Sequence, residues 1–253
     1  MKKKIELKEI ELSFGGLKII SGISMDIQES ELLAVIGPNG AGKSSLLNCI
    51  SGFYRPQKGK IIFEGKDITK TSCLDRAKIG ISRTFQHMEL YNGLTVLDNL
   101  MSSRHNMMNY GIFSSFLYFG KARRQELDQR EVIEDVIDLL EIEAIRHAVV
   151  GSLPYGLRKR VDLGRALASQ PELLMLDEPM AGMNSEEKED MARFILDIQE
   201  LWKTSMVIIE HDMGVVMDIS DRIVMIDFGE KIIEGTPDEV KNSPEVIQAY
   251  LGV

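Results

Sequence analysis

Residues 32–45 read LLAVIGPNGAGKSS, and this stretch restricts the fold of the 253-residue chain more than any other. Five consecutive apolar residues, Leu32–Ile36, suit a short strand buried on both faces. GPNGAGKS, Gly37–Ser44, then fits G-x-x-x-x-G-K-[ST], and the apolar-faced SSLLNCI after it reads as a helix. A strand, a Gly-rich turn and a helix in this order make a phosphate cradle. The glycines let the backbone wrap an anion with its amides pointing inward, and the helix adds its positive end. Gly37, Pro38, Asn39, Gly40, Ala41, Gly42, Lys43, Ser44 and Ser45 are therefore candidate nucleotide contacts. Lys43 would serve the β- and γ-phosphates of ATP, and the Ser44 hydroxyl would ligate Mg²⁺.

The rest of the chain fits around that unit. IELKEIEL near the N-terminus alternates with period two, ISMDIQ follows, and GKIIFEG reads as a strand between glycines, so the N-terminal part is β-rich. From about 95 to 170 the pattern is helical. Thr95 and Asp98 have capping-box spacing, and Val132, Ile133, Val136, Ile137 and Leu140 share one helical face. Strands return at ELLML, TSMVIIE, RIVMID and EKIIEG. An amphipathic helix with Met191, Phe194, Ile195, Ile198 and Leu201 inward lies between the first two. Thr236, Pro237 and Glu239 open a last helix with cap, first-turn proline and N3 glutamate. The pattern predicts an α/β fold with a mainly parallel sheet, an antiparallel β region near the N-terminus and an inserted helical subdomain. The expected division is a nucleotide-binding core of 1–88 and 166–253 around a helical subdomain of 89–165.

A second motif supplies hydrolytic chemistry. LLMLDEP, Leu173–Pro179, is a buried-strand run ending in two carboxylates. Asp177 would hold Mg²⁺ through water, and Glu178 is placed to take a proton from the attacking water. Composition closes other routes. Thirty basic against 39 acidic residues give a net charge of −9, which argues against nucleic acid as a partner. No apolar run reaches the ~20 residues of a membrane-spanning helix, and the N-terminus lacks a signal-peptide core. Two cysteines, Cys49 and Cys73, without CxxC or His/Cys clusters, fit packing roles in a reducing cytoplasm.

The P-loop, LLMLDEP and then a histidine after the following strand (VIIEHD, His211) together resemble an ABC-type ATPase across essentially the whole chain. The resemblance implies further roles. Gln86 in SRTFQ is similar to the Q-loop glutamine, which reaches Mg²⁺ and couples the site to a transport partner. His211 resembles the switch histidine that contacts the γ-phosphate. Phe14 lies where the family places an aromatic against the adenine. LPYGLRKR, Leu153–Arg160, occupies the position of the signature, usually spelled LSGGQ, which binds the γ-phosphate of ATP held by the other subunit. Leu153 and Gly156 match; Pro154, Tyr155 and Leu157 replace serine, glycine and glutamine. The amides of Tyr155, Gly156 and Leu157 at a helix N-terminus would remain for the phosphate. The basic run Arg158–Arg160 reads more simply as a solvated helix face. Asn184, in MAGMN, replaces the usual D-loop aspartate and has capping-box spacing to Glu187.

The LPYG spelling, AGMN, the insertion GIFSSFLYFG at 111–120 and the ending PEVIQAYLG resemble the ATPase subunit of Liv-type importers of branched-chain amino acids. That resemblance implies membrane-spanning permease subunits, a second ATPase subunit and, indirectly, an extracytoplasmic solute-binding protein. The chain would then be cytoplasmic, peripheral on the inner face of the cell membrane. GIFSSFLYFG and the turn after Gln86 are the candidate permease docks. The alternatives are an ABC ATPase of the lipopolysaccharide-export type, or a soluble ABC protein acting on DNA or ribosomes.

Overall fold

The structure, a computed structural model, describes residues 2–84, 88–104 and 121–246, with the backbone alone over 121–129. Gln86, GIFSSFLYFG and the end of PEVIQAYLG lie outside the described residues.

The N-terminal alternation becomes two long strands, β1 (Lys3–Phe14) and β2 (Leu17–Gln28), paired antiparallel. With β4 (Lys58–Phe63) and β5 (Lys66–Asp67) they form a four-stranded antiparallel sheet in the order β2-β1-β4-β5. The second sheet is built from β3 (Leu32–Ile36), β6 (Ile81–Arg83), β7 (Leu173–Asp177), β8 (Ser205–Ile209), β9 (Arg222–Asp227) and β10 (Glu230–Gly235). Its order is β10-β9-β3-β8-β7-β6, parallel throughout except for β10 at one edge. β3 therefore lies between β8 and β9, with Leu32 opposite Met206 and Leu33 opposite Arg222.

The continuous apolar runs have a simple cause. Successive side chains leave a strand on opposite faces, and both faces of this sheet are covered. Leu32, Ala34, Leu174, Leu176, Met206 and Ile208 pack into one core with helix residues such as Phe194 and Ile198. Leu33, Val35, Leu173, Met175, Val207 and Ile209 pack into a second core with the antiparallel sheet and the P-loop helix.

Among the described residues the helices are α1 (Lys43–Ser51), α2 (Cys73–Lys78), α3 (Val96–Arg104), α4 (Lys121–Leu139), α5 (Tyr155–Leu167), α6 (Ser185–Trp202), α7 (Met213–Ile219) and α8 (Pro237–Lys241). The longer ones follow their predicted patterns, and two short ones, α2 and α7, were not predicted. Ile133, Val136, Ile137 and Leu140 are fully buried, and α8 has its capping box on Thr236. Two packing expectations fail. Leu201 is 66% exposed, and the next residue, Trp202, packs against the core at the end of α6 in its place. Cys73 is exposed at the first position of α2, whereas Cys49 is buried in α1 and burial pushes its thiol up to about 12. No described helix is long and apolar enough to cross a membrane.

Candidate nucleotide site

Ligands of open α/β sheets bind outside the carboxyl ends of the parallel strands, and the P-loop, Asp177, Glu178 and His211 lie there. β3 ends in the P-loop, β7 in Asp177 and Glu178, and β8 leads to Glu210 and His211. A cleft of about 860 Å³ opens between them, lined by Ile19, Asn39–Ser45, Glu178 and His211. Its size lies within the range of small-molecule sites.

The P-loop needs its glycines at defined points. Gly37 has φ 148°, and a Cβ there would lie 1.9 Å from the Ile226 carbonyl. Gly42, at φ 102°, would place one 2.8 Å from the Ile19 carbonyl. Lys43 opens α1 and is 6% exposed; its Nζ donates to the carbonyls of Gly37 at 2.7 Å and Pro38 at 2.9 Å. Burial lowers its pKa, against the pull of Glu178 and Asp177.

Across the cleft, His211 Nε2 lies 2.9 Å from Glu178 Oε1. Glu178 has φ 51°, a left-handed conformation that costs a non-glycine residue about 1–2 kcal/mol. Its amide donates to the Ile209 carbonyl at 2.9 Å, and its carbonyl accepts from Ala181 N at 3.2 Å. Glu210 is the supporting residue that sequence reasoning missed. It is 4% exposed and accepts from Met180 N at 2.7 Å and His211 N at 3.1 Å, yoking the turns after β7 and β8. Burial raises its pKa. The signal was present in VIIEHD: an acid ending an apolar strand run needs partners.

Asp177 is 2% exposed and lies behind the cleft. Its Oδ2 accepts from Arg83 at 2.6 Å, and Arg83 also donates to Asn48 on α1 at 2.6 Å. Asp177 Oδ1 is buried without a hydrogen-bond partner among the described residues. A buried carboxylate oxygen without a partner, at the end of β7, and the Ser44 hydroxyl on the cleft lining are oxygen donors that suit a hard cation which keeps most of its water and phosphate ligands. The residues present therefore fit Mg²⁺.

Phe14 does not line the cleft. It ends β1, half-exposed, with its ring edge-on to Tyr54 at 5.0 Å; the residue of the N-terminal sheet on the cleft lining is Ile19.

LPYGLRKR does open a helix, with Pro154 as N-cap. Among the described residues, α2, α3, α6, α7 and α8 are capped by the side chains of Ser72, Thr95, Asn184, Asp212 and Thr236. α1 and α5 begin without a side-chain cap, which leaves first-turn amides for an anion. Gly156 is buried against α6, where a Cβ would meet Glu187 Oε1 at 2.1 Å. The basic run is no solvated face. Lys159 is 4% exposed and donates to the Glu178 carbonyl at 3.1 Å. Arg160 pairs with Asp190 and stacks over Phe194.

This is the fold and site of a P-loop ATPase cassette. The ABC transporter model matches residues 20–181, and the model for branched-chain amino acid ATP-binding cassette transporters matches residues 230–253. The high-affinity branched-chain amino acid transport ATP-binding protein LivG of Salmonella typhimurium is 39% identical over 244 residues, 95% of this chain and 94% of that protein. BraF of Pseudomonas aeruginosa, described in the same words, is 34% identical over 248 residues, 98% of this chain and 97% of that protein. The crystal structure of the ADP conformation of MJ1267, an ATP-binding cassette of an ABC transporter, superimposes with a TM-score of 0.86 at 28% identity over the whole of both chains.

The chain belongs to the ABC transporter family, in its branched-chain amino acid branch, and as an ABC ATPase it hydrolyses ATP to drive transport. This answers the export-type and non-transport alternatives.

Proposed function

We propose that this chain powers the import of branched-chain or related amino acids through membrane-spanning permease subunits. It would sit cytoplasmic, on the inner face of the cell membrane. A second ATPase subunit, identical or not, would face each cleft with its signature, and a solute-binding protein would deliver cargo outside. The likeness to LivG and BraF supports the cargo class. The division into a core of 1–88 and 166–253 and a helical subdomain of 89–165 belongs to this reading, with Gln86 as the coupling residue between site and permease.

The observation that carries the mechanism is the Glu178–His211 pair facing the Lys43 cradle across one cleft. Lys43 and the P-loop amides hold the β- and γ-phosphates. Glu178 takes the proton of the attacking water, and His211, bonded to Oε1, keeps the carboxylate aimed. Ser44 and, through water, Asp177 would hold Mg²⁺, with Gln86 as a further ligand. Bound Mg²⁺ supplies neutralisation of charge on the β- and γ-oxygens. Arg83 holds one oxygen of Asp177 and so leaves the other for the metal side. The uncapped start of α5, with the amides of Tyr155 and Gly156, would face the partner's γ-phosphate.

Replacing Glu178 with Gln tests this. ATP binding should persist while turnover falls by at least ~100-fold, the scale of a lost general base. Wild-type turnover in Glu178→Gln would remove Glu178 from the role.

A further inference from the structure

The hydrolytic chemistry makes no use of Lys159, yet the fold buries its ammonium 19 residues upstream of Glu178 in the chain, against that residue's carbonyl. Burying an ammonium is unfavourable unless it is hydrogen-bonded or paired. Among the described residues no carboxylate lies within ion-pair distance of Lys159, and its one recorded hydrogen-bond acceptor is Glu178 O. Asp162, Glu210, Glu178 and Asp177 attract it from further away, in that order, but burial outweighs them and its pKa is lowered. An apolar side chain of the same length would fill the space without that desolvation. What the lysine adds is a donor.

The same face of α5 offers a second one. Tyr155, four residues earlier and so adjacent on the helix surface, donates its hydroxyl to the Ala181 carbonyl at 3.1 Å. Its ring packs on Gly182, where a Cβ would come within 3.2 Å of it. The ring also lies 5.8 Å from Lys159 Nζ. The two side chains thus grip both ends of the turn 178–181. On its other side that turn is held by β8, through Glu178 N to Ile209 O, and by Glu210, through Met180 N. Between these two supports Glu178 keeps its left-handed backbone.

We propose that Lys159 is a positioning residue for Glu178. It fixes the turn that aims the base, and it does so from the segment that this chain offers to a partner cassette. The inference rests on the proposed function, in which Glu178 is the base and residues 153–157 face a second subunit. It adds a direction of control. A shift of α5 on meeting the partner's nucleotide moves Glu178 in this chain's own cleft, so each composite site sets the readiness of the other.

The test compares the full-length wild-type chain with Lys159→Met, Lys159→Arg and Glu178→Gln. Mg-ATP affinity is read with a fluorescent ATP analogue, turnover at saturating ATP, and amide exchange by mass spectrometry. Lys159→Met should bind Mg-ATP within about twofold of wild type and lose turnover on the order of 10–100-fold, the cost of a misplaced group. The amides of residues 178–181 should exchange about tenfold faster, while those of the P-loop stay protected. Lys159→Arg, which keeps a donor, should recover most of both. Exchange is read on the chain alone, whether or not turnover needs a partner.

Wild-type exchange and turnover in Lys159→Met would overturn the proposal. So would a parallel loss of ATP affinity and P-loop protection, or a Lys159→Arg no better than Lys159→Met. Glu178→Gln separates the two levels. If it turns over normally, the base assignment fails whatever Lys159 does; if it is slow beside an unaffected Lys159→Met, only the positioning role fails.

Discussion

Lys43 and Lys159 are two answers to one problem. They are 6% and 4% exposed, burial lowers the pKa of both, and both donate to backbone carbonyls. They differ in what lies beyond those carbonyls. Lys43 opens α1 and lines the cleft, so an anionic ligand can take over as its partner. Lys159 sits against the turn after β7, where its hydrogen-bond acceptor among the described residues is the Glu178 carbonyl, and it does not line the cleft. Burial alone does not make a lysine a ligand-binding group; the open side of its environment decides.

The largest expected effect breaks the comparison on the P-loop side. Lys43→Met should weaken ATP binding about 100-fold, the scale of one or two lost charge-assisted hydrogen bonds. Equilibrium titration beside Lys159→Met measures the contrast; equal losses in the two variants would erase it.

The next effect concerns Asp162, whose attraction for Lys159 is the largest of the four. Burial pushes its carboxyl up to about 6. The native state therefore binds this proton more readily than the unfolded chain does. Stability is full below the unfolded pKa near 4 and is lost as pH rises toward 6. Asp162→Asn should stabilise the protein by up to about 3 kcal/mol at pH 8, with the gain gone by pH 4. Denaturant titrations at pH 4, 6 and 8 check the trend, and a gain independent of pH would contradict it.

The smallest effect sharpens the Lys159 side. Tyr155→Phe removes one donor from the Ala181 carbonyl and should cost about 1 kcal/mol. ATP affinity should not change. Urea unfolding gives the first quantity and nucleotide titration the second.

The two lysines also show what could be read from the chain in advance. Lys43 was legible because its cradle is local: six residues of loop and one turn of helix carry the chemistry. The strand runs around LLAVI and LLMLD were legible because a sheet covered on both faces selects continuous apolar residues. Lys159 was not legible. Its acceptor lies 19 residues downstream, and a basic triplet opening a helix looks like a solvated surface. Glu210 escaped notice for the same reason, since its partners come from two separate turns. Short elements such as β6, α2 and α7 have too few residues to show a period. Leu201 kept the helical spacing but points away from the core, which Trp202 meets instead.

The place of β3 in its sheet has a consequence for how the protein is made. Both neighbours of this strand, β8 and β9, come from the last quarter of the chain. During synthesis the phosphate-binding strand waits with both edges open while some 170 further residues are added. Non-local parallel pairing of this kind is slow and leaves strand edges exposed to other chains. The nucleotide site is thus first in the sequence and among the last parts to be completed, so a nascent or C-terminally shortened chain carries the P-loop without the sheet that shapes it.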